Sequence, residues 1–132
     1  MEIQSTQKNI VTAPRKLKLV ADMVRKMRPV QSLSVLRFSD KAAAEPLSKV
    51  IKIALANAKE RGLKEEELTF KTLEINEGPK MRRARAAARG RSRPYKKRMS
   101  HIKIVLTDAQ TQKSKVKSQK ENEEGEKHGK KS

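Results

Sequence analysis

Ten basic side chains and no acidic one lie between Gly78 and His101, and these residues are the best suited in the sequence to a chemical task. Seven of the ten are arginines. The flat guanidinium group of arginine makes paired hydrogen bonds to phosphate and stacks on bases, whereas the ammonium group of lysine suits solvated surfaces. The segment therefore predicts contact with a polyanion such as nucleic acid. Its basic residues are Lys80, Arg82, Arg83, Arg85, Arg89, Arg91, Arg93, Lys96, Lys97 and Arg98.

The charge of the chain as a whole is concentrated in the same region. The 132 residues carry a formal net charge of +18, and residues 78–107 hold eleven of the 33 basic residues and none of the 15 acidic ones. A membrane surface could also attract such a charge, but it requires apolar anchors, and aromatic residues make up only 2% of the chain. Nucleic acid is therefore favoured over a membrane as the partner.

The sequence offers little for catalysis. Cysteine is absent, and the two histidines, His101 and His128, have no carboxylate spaced to form a metal or acid–base site with either. The five glycines are too scattered for a loop that cradles phosphate. We predict no enzyme activity, no metal and no cofactor. The N-terminal residues lack a signal or transit pattern, and no apolar run could span a bilayer, so a cytoplasmic location is expected.

Two other interpretations of the basic segment remain open. A charged run is often only a solvated or disordered stretch, although a position between two strands makes that less probable here. Alternatively, Ala84–Arg89 followed by Gly90 could form an arginine-rich helix that ends at the glycine, so the tip is either a hairpin or a short helix. Because Tyr95 is the segment's only aromatic residue, phosphate contact and arginine stacking should dominate any RNA binding.

Two strands should position this segment. Leu68 and Phe70 alternate with polar residues, and Leu73 and Ile75 continue this alternation one step out of phase. The pattern predicts a strand with a bulge. Beyond the basic segment, apolar residues alternate again at positions 102, 104 and 106. The two strands are most simply the base of an antiparallel hairpin, with residues of about 78–101 as its projecting end.

Helical spacing predicts three helices before the strands. The first opens at Pro14 with the apolar series Leu17, Val20, Met23, Val24 and Met27. A short second helix begins at Pro29 with Val30, Leu33 and Leu36 on one side. Just before the first helix, Ile10 and Val11 form a short apolar stretch without an assigned element.

A longer third helix should begin at Ser39 or Asp40 and end at Gly62. Pro46 lies inside this pattern, so the helix is either kinked there or starts later. Residues 1–107 should form one domain, whereas the Lys/Glu/Ser-rich tail, residues 108–132, has almost no apolar residue and is expected to be disordered.

Several ordered motifs make the chain resemble a known family. They are Pro14-Arg15-Lys16 with Leu19-Val20-Ala21-Asp22 and Arg25, Ala54-Leu55-Ala56-Asn57-Ala58, Glu77-Gly78-Pro79, Gly90-Arg91, and Lys97-Arg98-Met99-Ser100-His101-Ile102. From about Lys8 to Thr107 the sequence resembles the bacterial form of the ribosomal protein family numbered twenty-two in the large subunit.

The resemblance implies an α+β fold in which three helices pack on a small antiparallel sheet and a long β-hairpin protrudes. It further implies a structural protein that binds and stabilises rRNA and extends the hairpin to line the nascent-peptide exit tunnel. The expected partners are large-subunit rRNA, neighbouring large-subunit proteins and the nascent polypeptide. A free RNA chaperone or architectural nucleic-acid-binding protein is the alternative.

Carried over by position, the resemblance assigns two sets of residues. The expected rRNA-binding residues are Arg15, Lys16, Lys18, Arg25, Lys80, Arg82, Arg83, Arg85, Arg89, Arg91, Arg93, Lys96, Lys97, Arg98 and His101. The expected tunnel-facing tip comprises Ala86, Ala87, Ala88, Arg89, Gly90 and Arg91. The chain departs from the family at this tip, where Ala86-Ala87-Ala88 stands in place of Pro-Arg-Ala and Gly90-Arg91-Ser92 in place of Gly-Arg-Ala.

Overall fold

Six main elements follow one another in the computed structural model, which describes residues 1–108. The combination of three helices, a three-stranded antiparallel sheet and a long hairpin confirms the predicted α+β class. From residue 109 onward, the tail for which disorder was predicted lies outside the described residues. The elements are β1 (Glu2–Ile10), α1 (Pro14–Val24), α2 (Pro29–Arg37), α3 (Ala44–Glu60), β2 (Leu68–Ala86) and β3 (Ser92–Asp108).

The sheet has the order β1-β3-β2, so β3 is its central strand. Ile102, Ile104 and Leu106 of β3 are fully buried, which confirms the alternation predicted for this strand. The register of β2 against β3 shifts between Phe70 and Thr72, as expected from the change of phase in the β2 sequence. The apolar face of the sheet therefore lies against the helices.

Strand β1 was not predicted. Only Ile3, Ser5 and Ile10 of its nine residues are buried, so its sequence carries little apolar alternation. The strand exists because it pairs antiparallel with β3, where Ile3 lies opposite Leu106. Hydrogen bonds to a segment about 100 positions away stabilise the strand, and no local sequence pattern indicates them.

Helix α1 has a narrower buried stripe than its sequence suggested. Leu17, Val20 and Val24 are buried, but Met23 remains 49% exposed and Met27 38% exposed. Met23 and Met27, which continue the apolar series of the sequence, are therefore both exposed, and Met27 lies beyond the end of α1. The sheet and α3 cover only one side of the helix.

Helix α3 starts later than predicted, at Ala44, and it has no side-chain cap at Ala43. A start at Ser39 or Asp40 was wrong, whereas the later start was one of the two outcomes expected from Pro46. Pro46 is the third helical residue, where the missing N–H group is not required by the helix. Beyond it, Leu47, Val50, Ile51, Ala54, Leu55 and Ala58 are buried in the core.

Candidate nucleic-acid interface

The hairpin projects beyond the packed core as a two-stranded ribbon. Its distal part runs without a break in register from the pair Lys80–Arg98 to the pair Ala86–Ser92, a length of roughly 20 Å before the turn. All ten of its basic side chains between residues 78 and 101 are exposed. Because none of these side chains packs on the domain, all of them are available to a partner.

The tip is a turn and not a helix. Ala84 and Ala86 belong to β2, so the proposed arginine-rich helix from Ala84 to Arg89 does not form. The N–H group of Ala87 donates a hydrogen bond to the carbonyl oxygen of Arg91 at 2.8 Å, which closes the turn. Arg89 and Gly90 both have positive φ values, 59° and 67°, so the chain reverses through two left-handed residues.

The hairpin cations have almost no internal neutralisation. Within residues 1–108, the carboxylate of Glu77 pairs with Nζ of Lys80 at 2.9 Å, and the other nine cations have no carboxylate partner. The hydrogen bond from Lys80 lowers the pKa of Glu77, and the positive charges of Lys80, Arg98 and Lys18 act in the same direction. Uncompensated like charges on one ribbon favour an external polyanion.

One aromatic contact orders the middle of the ribbon. The guanidinium carbon of Arg85 lies 5.3 Å from the ring centroid of Tyr95, within the range of a cation–π interaction. Tyr95 is nevertheless 42% exposed. The pair therefore presents a stacked, partly accessible surface.

The cluster at the start of α1 lies near the base of the hairpin. Arg15, Lys16 and Lys18 are exposed, and the charge of Lys18 helps lower the pKa of Glu77 at that base. The structure therefore brings Lys18 towards the hairpin cations. Within residues 1–108, none of these three side chains makes a hydrogen bond or an ion pair.

Arg25 and His101 differ from the other predicted residues because each makes a hydrogen bond to a residue far away in the sequence. The guanidinium group of Arg25 donates a hydrogen bond to the carbonyl oxygen of Leu73 at 3.3 Å and pairs with Asp22 at 3.2 Å. It joins α1 to β2. Nδ1 of His101 accepts a hydrogen bond from the N–H group of Asn9 at 3.0 Å. Both residues thus position the hairpin base, whatever contact they make with RNA.

No pattern in the sequence indicated the hydrogen bond that links the segment between β1 and α1 to the hairpin base. Ser100 is fully buried, and its hydroxyl group donates a hydrogen bond to the carbonyl oxygen of Thr12 at 2.6 Å. In the sequence, Ser100 stood out only as a member of the motif Lys97–Ile102, and that motif did not indicate which group Ser100 would bind. The bond holds the start of α1, and with it the basic cluster, close to β3.

Residues 1–108 contain no group of His, Asp and Glu side chains arranged to hold a metal ion. None of the three helices in that part of the chain is long and apolar enough to cross a bilayer.

Comparison with known proteins identifies the family of this hairpin-bearing domain. A family model described as Ribosomal protein L22p/L17e matches residues 5–107, most of the chain. The chain belongs to this family. A relative, the large ribosomal subunit protein uL22 of Anaeromyxobacter sp. (strain Fw109-5), is 45% identical over 100 residues, which cover 74% of this chain and 69% of the relative. The protein of the same name from Staphylococcus aureus (strain JH9) is 38% identical over 109 residues, 82% of this chain and 93% of the relative.

Family membership confirms the resemblance drawn from the motifs. It also confirms that the chain is a structural ribosomal protein of the large subunit and not an enzyme, since its relatives are structural ribosomal proteins. The predicted cytoplasmic location on the ribosome follows from the same membership.

Proposed function

We propose that the hairpin and the start of α1 bind large-subunit rRNA, and that the hairpin lines the exit tunnel with its tip beside the nascent polypeptide. Neighbouring large-subunit proteins complete the surroundings of the globular part. The observation that carries this proposal is the ribbon itself: ten exposed cations, nine of them without a carboxylate partner in residues 1–108, on a segment outside the core.

A polyanion explains this ribbon better than any other partner. In isolation the side chains repel one another, and counterions released from RNA phosphates on binding provide the favourable free energy. Seven of the ten cations are arginines, whose fork matches phosphate oxygens in pairs. The binding should depend mainly on phosphate positions in folded RNA, because Tyr95 is the only Phe, Tyr or Trp side chain of the basic segment.

The assignment to the tunnel extends the likeness to the uL22 proteins named above and rests on the position of the tip. The turn at Ala87–Arg91 lies at the far end of the ribbon from the core, so a hairpin held by RNA along its arms would deliver this turn deep inside the particle. The small side chains Ala86–Ala88 and Gly90 leave room beside the backbone there.

Salt-washed ribosomes test the rRNA proposal. The protein should remain with the large subunit at moderate salt and leave only at salt concentrations that strip phosphate-bound proteins. Release at moderate salt, followed by sedimentation with free RNA or DNA, would instead support a free RNA chaperone. The matched control is a chain shortened by replacing residues 80–98 with a short turn, which should be retained less well.

A single cysteine tests the tunnel proposal, since the chain has none of its own. Ala87→Cys places a thiol at the turn, and Glu66→Cys places one on the exposed surface of the globular part. In ribosomes stalled with a nascent chain that carries a thiol-reactive cross-linker, only the first variant should cross-link. Equal cross-linking of both, or of neither, would contradict the tunnel position and leave the rRNA proposal standing.

A further inference from the structure

The distal half of the hairpin has two chemically different faces. In an antiparallel pair, residues directly opposite each other share a face, and neighbours along a strand point to opposite faces. The rows of the distal half therefore alternate between two sets. The arginine face carries Arg83 opposite Tyr95 and Arg85 opposite Arg93. The small face carries Ala84 opposite Pro94 and Ala86 opposite Ser92.

All the charge of these four rows lies on the arginine face. Three guanidinium groups and the only aromatic ring of the basic segment lie there, whereas the small face has the Ser92 hydroxyl as its only polar side-chain group. A two-stranded ribbon twists strongly along its length, so each face keeps its direction only over neighbouring rows. Over four consecutive rows the two faces remain distinct.

The arginine face is also the more ordered one. Arg85 lies over the ring of Tyr95, and Nη1 of Arg83 donates a hydrogen bond to the carbonyl oxygen of Arg82 at 2.9 Å. A second nitrogen of Arg83 lies 3.3 Å from Sδ of Met81, on the same face. These contacts hold two arginine side chains against the ribbon, which lowers the entropy lost on binding.

We propose, on the basis of the rRNA binding proposed above, that these four rows of the hairpin bind RNA through the arginine face alone. Phosphates contact Arg83, Arg85 and Arg93, and the exposed part of the Tyr95 ring packs on a base or sugar. The small face is turned away from the RNA. Within these rows it has no cation with which to bind phosphate.

Two adjacent, exposed positions provide a matched test. Arg85→Gln and Ala84→Glu each lower the net charge by one, on opposite faces of the ribbon. Binding to protein-free bacterial large-subunit rRNA is measured over a salt series. Arg85→Gln should weaken binding severalfold and reduce the slope of log affinity against log salt by about one. Ala84→Glu should stay within about twofold of the unaltered protein, because screening limits its effect across the ribbon.

The results separate this proposal from the one on which it rests. If Ala84→Glu weakens binding as much as Arg85→Gln does, or if neither variant weakens it, the face assignment fails although rRNA binding stands. If the unaltered protein shows no salt-dependent binding to the rRNA, the proposed function fails first.

Thiol reactivity provides a second measurement that does not depend on affinity. Arg93→Cys and Ala86→Cys place a unique thiol on the arginine face and the small face, respectively. With saturating rRNA, the thiol at 93 should react with a maleimide much more slowly than in the free protein, whereas the thiol at 86 should keep most of its reactivity. Equal protection of the two thiols, or greater protection at 86, would overturn the proposal.

Discussion

The hydroxyl group of Ser100 donates a hydrogen bond to the main-chain carbonyl oxygen of Thr12 at 2.6 Å, and it links the base of the hairpin to the residues that precede α1. Ser100 has no exposed surface, so water cannot replace it as the donor. Nearby, the Asn9 N–H group donates a hydrogen bond to His101. Two bonds thus connect consecutive residues of β3 to the end of β1 and to the connection that follows it.

Removal of the Ser100 hydroxyl should destabilise the fold. Ser100→Ala leaves the carbonyl oxygen of Thr12 without its donor, and an unsatisfied buried group costs about 1–3 kcal/mol. Urea unfolding should show a lower midpoint. Ser34→Ala is the matched control, because Ser34 is exposed on α2 and should unfold like the unaltered protein. Equal stability of the two variants would contradict a structural role for the Ser100 bond.

A methyl group at Gly78 should disturb the base of the hairpin. A Cβ atom there would lie 3.0 Å from the carbonyl carbon of Met99 and 3.1 Å from Cε1 of His101, so β3 would have to move. Gly78→Ala should cost about 1–3 kcal/mol in the free energy of unfolding, as overpacking usually does.

Gly90→Ala provides the contrast to that substitution. No atom lies within 4 Å of a Cβ at Gly90, but its φ of +67° strains any L-residue. The cost should be about 1 kcal/mol and confined to the turn, visible as local changes in amide exchange and not in global unfolding. A larger global loss for Gly90→Ala than for Gly78→Ala would contradict the crowding at the hairpin base.

Two isoleucines on α3 should differ sharply in their contribution to stability. Ile51 is fully buried, whereas Ile53, two residues later, is 49% exposed. Ile51→Ala should lower the free energy of unfolding by about 2–5 kcal/mol, since it removes apolar contacts and leaves a cavity. Ile53→Ala should change it by less than about 1 kcal/mol. Chemical denaturation of both variants tests the orientation of α3, and similar losses would contradict it.

Glu77 should give the hairpin base a pH dependence in acid. Its pKa is lowered from the ordinary value of 4.5, mainly by the hydrogen bond from Lys80. Because the folded-state pKa is below the unfolded one, the contribution is fully present above about pH 5 and is lost as the pH falls through the folded pKa.

The stability of the unaltered protein relative to Glu77→Gln should therefore be constant near neutrality and shrink on acidification below the unfolded pKa. Thermal unfolding from pH 7 to pH 3 measures it. Lys80→Gln, which removes the main partner, should reduce the difference between Glu and Gln at position 77. A difference that grows on acidification would contradict the sign of the pKa shift.

Features encoded by neighbouring residues were predictable. Pro14 and Pro29 begin α1 and α2 as expected, because proline is favourable at the first helical position wherever the helix lies. The alternation at Ile102, Ile104 and Leu106 marked β3 for a similar reason, since one face of the strand must be buried. Concentration of the cations between two such strands was enough to predict the projecting hairpin.

Features that depend on distant segments were not predictable. Met23 and Val24 are apolar and adjacent in the sequence, but only Val24 is buried, because the sheet and α3 cover one side of α1. From the sequence alone, the tip of the hairpin could be either a turn or a short helix. Continued pairing of β2 with β3 as far as Ala86–Ser92 decided it, since every second row of an antiparallel pair adds cross-strand hydrogen bonds.

The sequence by itself therefore determined the three helices, the two strands of the hairpin, the segregation of charge between Gly78 and His101, and the family. Periodicity and composition are local properties, so they can be read from the chain. Only the tertiary structure decided that β1 joins the sheet, that Ser100 holds Thr12, and that Arg85 and Ala84 lie on opposite faces of a ribbon. Each of these depends on the register between segments far apart in sequence, which is set by the packing of the whole domain.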